Sequence, residues 1–509
     1  MKTELYLDSN ATTGILPSAL DAATRTLAES YGNPSSTHSA GLRAKAILDG
    51  TRTRACRLLG VGDGRLMFNS GATEGIQTAV LSALCAVRER RPQGGLILYG
   101  ATEHKAVPES LAHWNRVLGL GLEIRNLPVD GNGRHDLDVL RALAPQAVLV
   151  CTMAANNETG TISDLDGITA ALAGSPALWL VDCVQALGKL PLRLADTRID
   201  YAPFSGHKLY APKGVGMLYV RAGAPYTPLM TGGGQESGLR AGTENMPGIA
   251  ALGAVLAELE AGTSFRCRAE LEGLRQRLVA SLRRAFPDVV INTPLDMSLP
   301  TTLNITVPGL TSSQLLDTFD AADIRVSAGS ACSAAKALPT YVLEAMGFPD
   351  WRSSNAVRIS LGAATDDATV DAACRRIEEC GEVLRHRGPA GTGAPLPALA
   401  APAAEMELDA DDLLAFLAAQ PAAILVDVRD DVEHVVSRLP APLKKAVNVP
   451  LARLTADVPD WLAAENRPPI VFFCRSGNRS ARAASALRAL GYDNAFHLGG
   501  GLALAPAWT

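Results

Sequence analysis

The sequence predicts an α/β protein: a large domain on a mostly parallel sheet, then a linker, then a smaller α/β domain. Three observations carry this. Short apolar runs such as "GGLILYG", "QAVLVCTM" and "ALWLVDC" alternate with longer Ala/Leu-rich helical stretches, the pattern of strands joined by crossover helices. One composition break, "HRGPAGTGAPLPALAAPAAEM" from His386 to Met406, replaces that pattern with Pro, Gly and Ala, which is linker composition. Beyond it "PAAILVDVRDD" and "PPIVFFC" are two more buried-strand candidates. At 509 residues and 47% hydrophobic, the chain exceeds one ordinary core, so two or three domains are expected.

Charge excludes some partners. Net charge is −5 and charged residues are 19%, so no global basic field is offered to nucleic acid or to an anionic membrane. No apolar run approaches the ~18 residues of a membrane span, and "MKTELYLDSNATTG" has no signal-like apolar region; a cytoplasmic location is expected. The nine cysteines show no CxxC pair, so neither a disulfide framework nor a metal site is expected. Cys56, Cys85, Cys151 and Cys183 lie in apolar runs and read as small core residues.

In open α/β sheets ligands bind beyond the carboxyl ends of the strands, which directs attention to the polar residues there. "FSGHKLYAPKGVG" sets Ser205, His207 and Lys208 among turn formers, fit to project a lysine from a loop. "FNSGATEG" reads as strand, Gly turn and helix start near Thr73, where N–H groups converge on an anion such as phosphate; plain N-capping by Ser70 or Thr73 is the alternative. "TEHKAV" puts His104 after one strand, and "VDCVQALGK" puts Asp182 at the end of another with Gln185 following. Lysine, acid, histidine, glutamine and a phosphate-holding helix start together suit pyridoxal phosphate.

With "YLDSNATT", "YGNPSSTHS", "ANNETGT", "RAGTEN" and "GSACSA" added in order, residues 1–385 resemble a cysteine desulfurase of the fold-type-I pyridoxal-phosphate family. The resemblance implies a large part over about 15–260 and a small part from 1–14 plus 261–385. It implies Lys208 as the Schiff-base lysine and proton carrier, Asp182 on the pyridinium and Gln185 on the ring oxygen. His104 would stack on the ring, and Ala72, Thr73, Ser205 and His207 would hold the phosphate. Thr243 would reach the phosphate of a neighbouring subunit, making a homodimer. Asn157 and Arg358 would bind the carboxylate of L-cysteine, Arg358 as a fork. Cys332, in a Ser/Ala/Gly stretch of loop composition, would be the thiol that takes the sulfur and leaves alanine. A selenocysteine lyase, or another β-elimination on the same fold, is the rival activity.

In the last part, "CRSGNRS" sets Cys474 at a helix N-terminus with backbone N–H groups around it and Arg475 and Arg479 nearby, which favours thiolate. With "LVDVRD" before it and "HLGGGL" after it, residues 406–509 resemble a single rhodanese domain, with 386–405 as the linker. The persulfide loop would be Cys474, Arg475, Ser476, Gly477, Asn478 and Arg479. Related phosphatases carry one more residue between Cys and Arg, so the shorter ring suits sulfur better than phosphate. The family's Gly-His-Ile-Pro-Gly-Ala stretch is replaced by "SRLPAPLKKAVNVPL", which puts a turn in question. The expectation is a relay in which Cys474 receives sulfur from Cys332 for delivery to acceptor proteins in iron–sulfur assembly, tRNA thiolation or thio-cofactor synthesis. The rival is a domain that only docks the acceptor.

Overall fold

A computed structural model of the chain describes residues 4–90, 95–329, 340–386, 406–454, 461, 463 and 467–505. Its largest sheet has seven strands: β2 (Arg65–Asn69), β3 (Leu96–Gly100), β4 (Glu123–Leu127), β5 (Ala147–Met153), β6 (Leu178–Asp182), β7 (Tyr201–Ser205) and β8 (Gly216–Val220). Their order is β2-β8-β7-β6-β5-β3-β4, and β8 alone runs antiparallel to its neighbours. All five residues of β6 are buried, as a strand covered on both faces must be. Leu149 and Cys151 of β5 pack into one face's core, while Val150 packs into the other, the period of two of a strand.

A four-stranded antiparallel sheet follows: β9 (Val290–Ile291), β10 (Thr302–Thr306), β12 (Ser327–Ala328) and β13 (Val357–Ser360), in the order β12-β13-β10-β9. The first strand of the chain, β1 (Leu5–Tyr6), pairs in parallel with β11 (Ile324–Arg325). Leu5 and Leu7 thereby join the core under this sheet, with Leu278, Phe319, Ile359 and Ile377. Residues from the two ends of the first 385 share one core, so the N-terminal strand brings Asp8 and Asn10 between the two sheets.

The last sheet holds β14 (Glu407–Leu408), β15 (Ile424–Asp427), β16 (Val447–Asn448), β17 (Ile470–Phe473) and β18 (Ala495–Leu498). Its order is β14-β18-β17-β15-β16 and every pairing is parallel. Ile470 and Phe472 enter one core and Val471 and Phe473 the other, which is why this run reads as uninterrupted hydrophobicity. Among the described residues no helix is long and apolar enough to cross a membrane.

Candidate functional site

The carboxyl ends of β3, β5, β6 and β7 surround one cavity of about 520 Å3. It is lined by Ala72, Thr73, His104, Asn157, Asp182, Gln185, Ser205, His207, Lys208 and Arg358, together with Asn10 and Lys213. Ten expected residues from six separate segments of the chain thus line one cavity. Thr243 is exposed and does not line the cavity of its own chain. Cys332 lies outside the described residues.

Lys208 follows β7 in a single short turn, and its Nζ donates to the carbonyls of Asn10 and Ala11, both at 2.7 Å. Those acceptors come from the N-terminal segment, so the lysine is held by backbone placed from outside its own sheet. Asp182 closes β6 and accepts from the Val184 N–H at 2.9 Å. Burial raises its pKa, while the Val184 N–H, His104 and Lys208 oppose the rise. A carboxyl in that state is suited to a protonated ring nitrogen, which restores its charge. His104 is pushed below the usual imidazole value, first by burial, with Lys208 and Lys105 adding to the effect and Asp182 opposing it. It is therefore neutral at pH 7, as a ring that stacks and moves protons needs to be.

The anion end is built from the first turn of the helix Ala72–Arg90, whose leading N–H groups have no intrahelical acceptor. Ser205 and His207 line the same cavity; His207 Nδ1 lies 3.1 Å from Thr12 Oγ1. Burial, then Lys208 and Lys213, hold His207 down at about 4. A Cβ on Gly216 would stand 2.6 Å from Gly71 Cα and 2.7 Å from Asn69 Oδ1. Only glycine there lets the turn before the helix close against β8. A phosphate-bearing pyridine with an electrophilic carbon fits this set: anion cradle, buried acid, neutral imidazole and lysine.

Sequence reading passed over Asp8, Asn10 and Lys189, which hold the expected residues in place. Arg358 on β13 is 2% exposed; its Nη2 donates to Asp8 Oδ1 at 2.6 Å and its Nη1 to the Asn157 carbonyl at 2.9 Å. Its buried Nε has no partner among the described residues, an unsatisfied donor beside the cavity. Gln185 is engaged at both ends: Nε2 donates to the Asn10 carbonyl at 3.1 Å and Oε1 accepts from Lys189. Lys189 also reaches Asn10 Oδ1 at 3.2 Å. Burial, then the neighbouring charges of Lys208 and Arg358, push it down to about 7. Asn10 and Lys189 stood inside quoted motifs, yet no local pattern marks the cluster, because Asn10 meets Gln185 and Lys189 only through the tertiary fold.

The second candidate lies at the end of β17. Cys474 is fully buried, and its Sγ accepts from the Ser480 N–H at 3.4 Å in the first turn of the helix Asn478–Ala489. Gly477, at φ 87°, turns the chain into that helix. Arg479 is gripped by Glu433 through two bonds of 2.6 and 2.8 Å. Burial alone would lower its pKa; the hydrogen bonds and charge of Glu433 reverse this and raise it. Arg475 instead reaches out of its own sheet unit, to Asp317 and Asp320 on the helix Ser312–Ala321, both at 2.9 Å. The altered segment after Ser437 keeps its place through other contacts. Leu443 is fully buried, and Asn448 Nδ2 donates to the carbonyls of Asp427 and Arg429.

Comparison with known proteins gives the class these two sites define. Residues 5–373 match the model of the "Aminotransferase class-V" family and residues 409–504 that of the "Rhodanese-like domain". The chain belongs to the class-V aminotransferase family, as a cysteine desulfurase that carries a C-terminal rhodanese domain. It is 38% identical over 389 residues to a cysteine desulfurase of Cereibacter sphaeroides, covering 76% of this chain and 98% of that protein. A second cysteine desulfurase, from Bradyrhizobium diazoefficiens, is 40% identical over 374 residues, 73% of this chain and 93% of that one. Among solved structures, a NifS-like protein superposes with a TM-score of 0.66 at 34% identity, covering 74% of this chain and 99% of its own. The structure of SspA in complex with cysteine matches at TM-score 0.62 and 27% identity, covering 72% and 100%.

Proposed function

We propose that the chain uses pyridoxal phosphate to convert L-cysteine to L-alanine, and that the sulfur taken by Cys332 passes to Cys474. The observation that carries the first half is the meeting of Lys208, Asp182, His104, Ala72, Thr73, Ser205, His207 and Arg358 around one cavity. The chemistry that pyridoxal phosphate would supply when bound is an electron sink, which would loosen the substrate's α-proton and let the substrate's carbon side keep the electron pair of its C–S bond when the sulfur is attacked. Ala72 and Thr73, at the helix start, would hold its phosphate with Ser205 and His207. Asp182 would keep its ring nitrogen charged, and His104 would pack against its ring. Arg358 binds the substrate carboxylate, oriented by Asp8. Lys208, poised on two carbonyls, carries the α-proton.

The Cys332 thiolate attacks the substrate sulfur, the C–S bond breaks, and alanine leaves after protonation. Cys332 then bears a persulfide. In the relay the Cys474 thiolate attacks the outer sulfur of that persulfide; the S–S bond breaks and Cys332 leaves as thiolate. Two features support the second half. One chain holds both thiols, joined by a linker of roughly twenty residues that raises their effective concentration. The rhodanese loop also contacts the desulfurase region through Arg475. Cys474 is fully buried in this arrangement, so receiving and delivering sulfur requires its surroundings to move aside. Acceptor proteins in iron–sulfur assembly, tRNA thiolation or thio-cofactor synthesis are the proposed destinations, with the homodimer as the working unit.

The test feeds 35S-labelled cysteine to the holoprotein and maps persulfides by mass spectrometry. Label is expected on Cys332 and Cys474, and strong labelling of Cys474 in Cys332→Ala would sink the relay. Loss of the yellow chromophore in Lys208→Ala checks the cofactor.

A further inference from the structure

We propose that Asp317 and Asp320, carboxylates of the desulfurase region, set the donor specificity of the Cys474 loop. By neutralising Arg475 they turn away small anionic sulfane-sulfur donors and reserve the site for thiol-borne persulfide. The proposal rests on the reading of Cys474 as a sulfur-receiving thiol.

Arg475 directly follows the nucleophile and is the loop's most exposed cation, its side chain 42% exposed. Left free, a guanidinium in that position would attract an anionic donor by charge and by bidentate hydrogen bonds. Here its Nη1 meets Asp317 Oδ1 and its Nε meets Asp320 Oδ2, both at 2.9 Å. The loop's other arginine, Arg479, is committed to Glu433. Both loop cations are therefore paired, by three carboxylates against two guanidiniums. Asp320 is shared with Arg325, which itself also binds Asp323 and Glu4, so that third arginine adds no free charge.

The surroundings are acidic as well. A cleft of about 210 Å3 at the same junction counts Asp317, Asp430 and Glu433 in its lining, with no lysine or arginine among the described residues that line it. Burial, and then the charge of Glu433, push the Asp317 pKa up, with Arg479 and Arg475 opposing, the mark of crowded carboxylates. A dianion nearing the loop thus meets repulsion, whereas a persulfide delivered on the same chain needs no electrostatic capture.

Thiosulfate and cyanide provide the probe. The Cys474 thiolate attacks the outer sulfur of thiosulfate, the S–S bond breaks and sulfite leaves with the electron pair. Cyanide then removes the outer sulfur as thiocyanate and returns the thiolate. The holoprotein is assayed at pH 8, with alanine release from cysteine measured in parallel. In the double variant Asp317→Asn/Asp320→Asn, kcat/KM for thiosulfate is expected to rise roughly ten-fold, mainly through KM, with alanine release unchanged. Salt supplies a second readout. Raising ionic strength should lower the thiosulfate KM of the wild type, by screening repulsion, and raise that of the double variant, by screening attraction. Arg475→Gln should change the wild type less than two-fold yet abolish the gain in the double variant.

A double variant within two-fold of wild type, or salt effects of the same sign in both proteins, would overturn the specificity role while Cys474 still labels from cysteine. Transfer that survives Cys474→Ala, together with no persulfide on Cys474 of the wild type from either donor, would overturn the sulfur-port reading and this inference with it.

Discussion

Arg358 and Asp8 meet across 350 residues of chain, Nη2 to Oδ1 at 2.6 Å, with the arginine side chain 2% exposed. The pair joins the first residues of the chain to the sheet that carries Arg358, the proposed substrate-binding fork. Removing the carboxylate would leave a buried guanidinium with only the Asn157 carbonyl. Asp8→Ala is therefore expected to lose about 3 kcal/mol of stability, read as a lower urea midpoint. It should also raise KM for cysteine more than it lowers kcat, because the fork loses the group that orients it. Asp8→Asn, which keeps the shape, should fall between the two proteins on both measures.

His104 sits below the ordinary imidazole pKa chiefly because it is buried, so its neutral form persists on acidification past the usual 6.5. The acid limb of kcat assigned to this ring is expected below pH 6.5. His104→Gln should lower kcat by roughly a hundred-fold or more and remove that limb. A pH profile of alanine release for both proteins checks it.

What could be read in advance depended on whether a residue's job was local. Asp182 and His104 end or follow apolar runs, and Lys208 stands among turn formers, so strand-end logic reached all three. Asp8, Asn10 and Lys189 do equal work but are defined by partners 175 to 350 residues away, and a chain distance of that size leaves no spacing to detect. The same limit applied to Arg475: its position beside a thiol was visible, but the two aspartates that neutralise it belong to a helix more than 150 residues earlier.

Glu158, in the segment between Asn157 and Thr159, is 1% exposed, and burial pushes its pKa up to about 7, with the charge of Arg358 opposing. Because the folded value is the higher one, the folded state holds a proton that the unfolded chain releases from about pH 4.5 upward. Stability from this group is complete below pH 4.5 and is lost as pH rises through 7. Glu158→Gln mimics the protonated form and should escape that loss. The variant's stability relative to wild type is expected to grow between pH 5 and pH 8, approaching about 3 kcal/mol from 1.4 kcal/mol per pH unit. Urea unfolding at the two pH values measures it, and a constant difference would refute the assignment.

Each glycine of "HLGGGL" is crowded, Gly499 by the Glu407 side chain and Gly500 by that of Leu504, but Gly501 is the one pressed against the backbone of the Cys474 loop. Its φ is +60°, and an added Cβ would lie 2.4 Å from the Cys474 carbonyl oxygen and 2.6 Å from that of Arg475. Both obstacles are backbone, so neither can rotate away. The next two N–H groups, of Leu502 and Ala503, donate at 2.9 Å to those same two carbonyls, so pushing the loop back also breaks the bonds that hold it. Gly501→Ala should therefore cost about 2–3 kcal/mol in the C-terminal domain, from left-handed backbone strain and lost hydrogen bonds together. Gly491→Ala is the control: its φ of +88° carries the strain, but no atom lies within 4 Å of the new Cβ, so about 1–2 kcal/mol is expected. Only Gly501→Ala should slow sulfur loading of Cys474, followed by persulfide mass spectrometry, while both variants keep wild-type alanine release.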